Sequence, residues 1–188
     1  MAKAKPNLIF AYGTLKRGFP NHGLMQDLKT NDDLVFMDTS HTEDPYPLVC
    51  GPQGIPYLIN LPGSGHCVKG EVYAVSDDAV VRLDEFEGVK YGYYERIPVV
   101  VVTDGGEKVK AEGYFGHRNF GEILWKKKGQ VGLIEYGENE AKEYVKKEDR
   151  PGGFCICIAL QALQEEFIKH IQITNNLHNS SHTNQIAE

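Results

Sequence analysis

Ile97 to Val102 is the most strand-like run in the chain, and it stops at Thr103-Asp104-Gly105-Gly106, a turn signal that sends the chain back along Lys108 to Phe115. A hairpin of this kind commits the fold to antiparallel pairing. Other short runs repeat the theme. Leu8 to Ala11 is apolar and bounded by Pro6 and Gly13, Val35-Phe36-Met37 reads as a brief strand, and Ile55 to Leu61 ends in the turn Pro62-Gly63-Ser64-Gly65. Val68 to Val75 alternates and is rich in β-formers. Pro45-Tyr46-Pro47 forces extended chain, because each proline fixes its own φ and restricts its predecessor. Many short strands with few helices predict an α+β fold built on a closed or nearly closed, mostly antiparallel sheet with helices outside.

Leu24, Met25 and Leu28 suggest a short helix after the turn-rich loop Phe19 to Gly23, and Glu138 to Lys147 an exposed helix rich in charge pairs. The clearest helix starts at Ser76. Ser76 suits an N-cap, Asp77 and Asp78 suit the positive end of the dipole, and Gly88 is a C-terminal stop after Glu87. From Pro151 the character changes. The expected division is a domain over 1–153 and an atypical extension over 154–188, apolar with helical possibilities to Ile173 and polar thereafter, which either packs on the domain as partly helical chain or is disordered.

Glu87 is singled out by position. At about 100° per residue, Ala79, Val80, Leu83 and Phe86 fall within about 60° of Leu83, and Glu87 falls about 40° from it. A carboxylate on an apolar stripe needs a partner or a purpose. Burial and the negative end of the helix dipole both raise its pKa, and a carboxyl tuned toward neutrality is what general acid–base catalysis requires. The other reading of the pattern is a helix-end glutamate turned to solvent. Gly13 also has two readings: an ordinary strand-to-loop turn, or a concavity whose open backbone N–H groups bind an anion.

Composition narrows the function classes. The 188 residues are 41% hydrophobic and 24% charged, a single soluble domain in size and make-up. A net charge of -6 argues against bulk binding to nucleic acid or to anionic membrane. No run approaches the roughly 20 apolar residues of a membrane span, and Leu8 to Ala11 is too short for a signal-peptide core. Cys50, Cys67, Cys155 and Cys157 form no Cys-x-x-Cys pair, so reduced thiols in the cytoplasm are expected. No metal site is expected; His178 and His182 have i, i+4 spacing but lie in the polar tail. Lys126-Lys127-Lys128, Lys16 and Arg17 read as solvated. The sequence carries no signal of oligomeric state.

Tyr12-Gly13-Thr14-Leu15-Lys16-Arg17-Gly18, followed in order by Pro45-Tyr46-Pro47-Leu48-Val49, Asn60 to Gly65, Gly70 to Val75, Leu83-Asp84-Glu85-Phe86-Glu87 and Tyr94-Glu95-Arg96, resembles the gamma-glutamyl cyclotransferase-like family. The likeness is greatest to its gamma-glutamylamine cyclotransferase branch and covers roughly Asn7 to Arg150. The resemblance implies a small β-barrel decorated by helices. It implies a small-molecule gamma-glutamyl substrate, no cofactor, Glu87 as the catalytic acid–base, and Tyr12, Gly13, Thr14 and Leu15 as substrate contacts. It also matches Tyr94 and Arg96, which either orient Glu87 or the substrate or make structural hydrogen bonds. The implied reaction is attack of the substrate's α-amine on its own γ-carbonyl, giving 5-oxoproline and a free amine. Gamma-glutamyl amino acids or glutathione are the alternative substrates, and a non-catalytic small-molecule-binding relative is the alternative class.

Overall fold

A computed structural model describes residues 3–150 and Glu165. Seven strands form one sheet: β1 (Asn7–Ala11), β2 (Leu34–Thr42), β3 (Leu48–Cys50), β4 (Pro56–Ile59), β5 (Lys69–Val75), β6 (Tyr94–Thr103) and β7 (Lys108–Gly116). Within residues 3–150 four α-helices accompany them: α1 (His22–Thr30), α2 (Asp77–Glu87), α3 (Arg118–Lys127) and α4 (Glu138–Ala141). The strand order β1-β5-β2-β6-β7 returns from β7 to β1, which closes a five-stranded barrel. The expected β-barrel with flanking helices is thus present. It is mixed rather than purely antiparallel, since β7 pairs in parallel with both β1 and β4.

These two parallel pairings share one edge of β7 and fork. Ile9 and Phe10 pair with Glu112 and Gly113, whereas Leu58 and Ile59 pair with Phe115 and Gly116. Where β1 leaves the edge, β4 takes its place. Alternation divides the core accordingly. Phe10, Leu58, Val72, Val99, Val101, Ala111 and Phe115 pack inside the barrel. Ile9, Tyr57, Tyr73 and Val75 point the other way, against Met25 and Leu28 of α1, Ala79 and Leu83 of α2, and Phe120 and Leu124 of α3.

Several expectations need correction. β2 is longer than Val35-Phe36-Met37, because a bulge between Phe36 and Asp38 lets the pairing continue through polar residues. The helix expected over Glu138 to Lys147 is a single turn, α4. Tertiary packing overrides its charge pattern: Val145 N–H donates to Gln53 O, and the Glu143 backbone lies 2.5 Å from where a Cβ on Gly54 would be. Helix α3 was not foreseen; Lys126 and Lys127 are its last turn, where cations suit the dipole. The apolar stretch Phe154 to Ile173 and the tail lie outside the described residues. Among the described residues no helix is long and apolar enough to cross a membrane.

Candidate active site

The fork places the site. As β1 peels from β7, Tyr12 spans the gap: its hydroxyl donates to Tyr114 O at 2.6 Å and accepts from Leu58 N–H at 3.1 Å. Gly13 then passes so close to β4 that a Cβ on it would lie 2.6 Å from Pro56 Cγ. The glycine is required by this close approach; Gly13 is not among the positive-φ residues. Beyond it the chain turns, with Lys16 N–H donating to Gly13 O. The Gly13, Thr14 and Leu15 N–H groups donate in none of the turn and loop hydrogen bonds of the described residues. Thr14 Oγ1 accepts from Asn21 Nδ2 at 2.9 Å, which leaves its own hydroxyl proton to donate.

Helix α2 brings the carboxyl. Ser76 caps it by accepting from Ala79 N–H, and Gly88 ends it in the left-handed conformation with φ 68°. Its last turn is anchored through Asp84, which accepts from Arg96 Nε at 2.9 Å and from the Tyr114 hydroxyl at 2.8 Å. Arg96 also pairs with Glu112. Three residues on, Glu87 lines a narrow cleft with Tyr12, Gly13, Thr14, Leu15, Pro56, Tyr94 and Tyr114, of about 30 Å³. Glu87 and Tyr94 also line a second cavity of about 370 Å³, walled by Phe86, Tyr93, Tyr144 and Arg150. Glu87 and Tyr94 are thus shared by the two cavities, a small and a large lobe on either side of them.

Glu87 as a whole is only intermediate in exposure, but protein surrounds its carboxyl, and burial pushes the pKa up to about 8. Among the described residues no side chain or backbone group is hydrogen-bonded to it. Burial raises the pKa of Tyr12, Tyr57, Tyr94 and Tyr114, and the charge of Glu87 adds to the rise in all four. Three of these tyrosines, Tyr12, Tyr94 and Tyr114, line the cleft with Glu87.

Of the residues expected at the site, Tyr12, Gly13, Thr14, Leu15, Glu87 and Tyr94 come together in the cleft. Tyr94 donates to Pro56 O at 2.7 Å and stacks on Tyr57. Arg96 lies behind the site and holds α2 to the barrel, the structural alternative foreseen for it. Phe86, expected on the buried face, is exposed and forms the rim of the larger lobe. Tyr114, Pro56 and Tyr57 were not foreseen; strand alternation marks them as buried but carries no sign of what they face.

Of the two cations expected in solvent, Arg17 is exposed, although paired, whereas Lys16 is not. Lys16 is buried and pairs with Glu135 at 3.1 Å, while Arg17 pairs with Glu71 at 2.9 Å and lies over the Phe36 ring. They line a wider groove of about 610 Å³ that shares no residue with the Glu87 lobes. The two charges buried in its wall, Lys16 and Glu71, are each paired with a half-exposed partner, so the smaller site, with its unpaired carboxyl, is the better seat for chemistry. No group of three or more His, Cys, Asp or Glu side chains among the described residues could hold a metal ion.

Known proteins resemble the chain in sequence and in fold. The family described as gamma-glutamyl cyclotransferase, AIG2-like, matches residues 9–146. A protein of Arabidopsis thaliana provisionally named a gamma-glutamylcyclotransferase is 44% identical over 164 residues, 80% of this chain and 88% of its own length. The human gamma-glutamylaminecyclotransferase is 49% identical over 81 residues, 43% of this chain and 52% of the human protein, so this alignment spans about half of that relative. The crystal structure of an AIG2-like protein from Mus musculus superposes with a TM-score of 0.64 at 32% identity, covering 77% of this chain and 98% of that one. On the strength of a family match that takes in β1 through α4, the chain belongs to the gamma-glutamyl cyclotransferase, AIG2-like family of enzymes.

Proposed function

We propose that this protein is a gamma-glutamylamine cyclotransferase acting on gamma-glutamyl amines such as gamma-glutamyl-lysine. The observation that carries the reading is Glu87, a carboxyl with a pKa of about 8 and no fixed partner among the described residues, shared between a narrow cleft and a larger lobe. The substrate has the same two-part form. Its glutamyl half would enter the cleft, with the α-carboxylate or the developing oxyanion against the Gly13, Thr14 and Leu15 N–H groups and the Thr14 hydroxyl. Its amine half would occupy the larger lobe.

Ionised Glu87 takes a proton from the α-ammonium. The freed amine attacks the γ-carbonyl carbon within the same molecule, so proximity supplies much of the rate. The new C–N bond closes the five-membered ring and the isopeptide C–N bond breaks. Glu87 hands this proton to the leaving nitrogen and relays to it the second proton that the attacking nitrogen sheds on ring closure, so 5-oxoproline and an ammonium ion depart and Glu87 is ionised again. Atoms and charge balance without a covalent enzyme intermediate. The free Cys50 and Cys67 thiols accord with a cytoplasmic setting for this chemistry.

The name of the human relative and the aromatic lobe both favour amine leaving groups over short amino acids. Release of 5-oxoproline from gamma-glutamyl-lysine, gamma-glutamyl-alanine and glutathione, measured side by side, tests the choice. The reading expects the highest kcat/KM for gamma-glutamyl-lysine; preference for either of the others would move the protein to the alternative substrate class, and binding without turnover to the non-catalytic one.

A further inference from the structure

Tyr57 is a fully buried residue of β4 on the helix-covered face of the barrel. Its ring stacks on Tyr94 at 5.0 Å and 20°, and meets the edge of Phe120 at 5.3 Å. Two glycines make room for it: a Cβ on Gly51 would fall 2.7 Å from the ring, and one on Gly116 3.1 Å. So confined, its hydroxyl has no hydrogen-bond partner among the described residues. A buried hydroxyl left unpaired costs stability, and in a native protein it calls for an explanation.

The neighbours supply one. Of the four tyrosines around Glu87, three have committed their protons: Tyr12 to Tyr114 O, Tyr94 to Pro56 O, and Tyr114 to Asp84 Oδ1. A neutral carboxyl tolerates that environment, whereas a buried carboxylate needs a donor. The reaction requires Glu87 to pass through both forms in each cycle. Tyr57 is the one hydroxyl of the four with a proton unspent.

We propose that Tyr57 is a positioning residue whose hydroxyl is held in reserve for the Glu87 carboxylate, donating to it while it is ionised and releasing it once it is protonated. This rests on the acid–base role given to Glu87 above. Glu87, the last residue of α2, shares the cleft with Tyr94, whose ring stacks on that of Tyr57, and donation requires its carboxyl to turn toward the hydroxyl by rotation about its side-chain bonds. Tyr57 keeps its proton throughout, since burial and the Glu87 charge both oppose its ionisation. The titratable and charged groups facing it are Glu87, Arg150, Tyr12, Tyr93, Tyr94 and Tyr144.

Tyr57→Phe tests this, because it removes the hydroxyl and keeps the ring. The Glu87 carboxyl is followed by 13C NMR in the parent and in Tyr57→Phe, with Glu87→Gln assigning the signal. A donor to the carboxylate lowers its pKa, so its loss should raise the Glu87 midpoint by about one pH unit or more, and kcat/KM at neutral pH should fall roughly tenfold. Stability to urea should stay equal or rise. An unchanged Glu87 midpoint overturns the proposal whatever the turnover, and so does a clear loss of stability, which would mean that the hydroxyl is already used structurally. A raised midpoint in a protein that turns over no gamma-glutamyl compound supports the Tyr57–Glu87 coupling and refutes the proposed reaction instead.

Discussion

Gly13 and Pro56 stand so close at the fork between β1 and β4 that a single added carbon on Gly13 would lie 2.6 Å from Pro56 Cγ. Proline cannot swing aside as a long side chain can, and Pro56 O is fixed by the Tyr94 hydroxyl. Gly13→Ala must therefore shift β4 or the Tyr12 to Leu15 loop. The expected result is a folded protein with kcat/KM for 5-oxoproline release lowered by about 100-fold, since a displacement on the order of 1 Å has that effect on a positioned reaction. Activity and urea titration of the same preparation check it.

Tyr12→Phe removes the hydroxyl that bridges Tyr114 O and Leu58 N–H across the same fork. Both partners are left in the core without a mate. Loss of buried pairing costs about 1–3 kcal/mol per orphaned group, so urea denaturation should show destabilisation in that range. Turnover should fall as well, because the fork carries the cleft.

Glu87 makes stability depend on pH in a defined direction. Its pKa rises from 4.5 to about 8 on folding, so between these values the folded chain holds a proton that the unfolded chain has lost. Folding stability therefore decreases as pH rises through this window, by at most about 5 kcal/mol. Glu87→Gln, neutral at every pH, should escape this loss. Urea midpoints near about pH 5 and about pH 8 should differ less for the variant than for the parent; equal slopes would mean that Glu87 is not desolvated.

Arg96 holds Asp84 and Glu112 behind the site, in partly buried surroundings. Arg96→Ala frees the last turn of α2 and leaves two carboxylates facing each other. A loss of about 1–3 kcal/mol in stability is expected, with kcat falling more than KM rises because Glu87 is misplaced rather than the substrate contacts removed. Guanidinium unfolding and steady-state kinetics test the two parts separately.

Much of this site could be read from the chain because its parts are local. The Ser76 cap, the Gly88 stop and the 3.6-residue period fix both the bounds of α2 and the inward turn of Glu87. The run Leu8 to Ala11 with its glycine gave β1 and the loop after it. What was hidden is non-local. The parallel pairing of β1 with β7 joins residues about a hundred positions apart, and that of β4 with β7 residues about sixty positions apart, so neither the fork nor the reason for Gly13 has a local signature. The same is true of Lys16, whose burial depends on Glu135, and of Tyr57, whose empty hydroxyl emerges only when the other tyrosines are seen to be paired.

The central claim is that Glu87 moves the protons of cyclotransfer. Release of 5-oxoproline from gamma-glutamyl-lysine, measured across pH for the parent and for Glu87→Gln, tests it most directly. The account predicts that release by the parent grows as Glu87 ionises, with a midpoint near its pKa of about 8. The folded variant should be slower by roughly 100- to 10,000-fold at every pH, the range that general acid–base catalysis supplies. Equal release by parent and variant would contradict it.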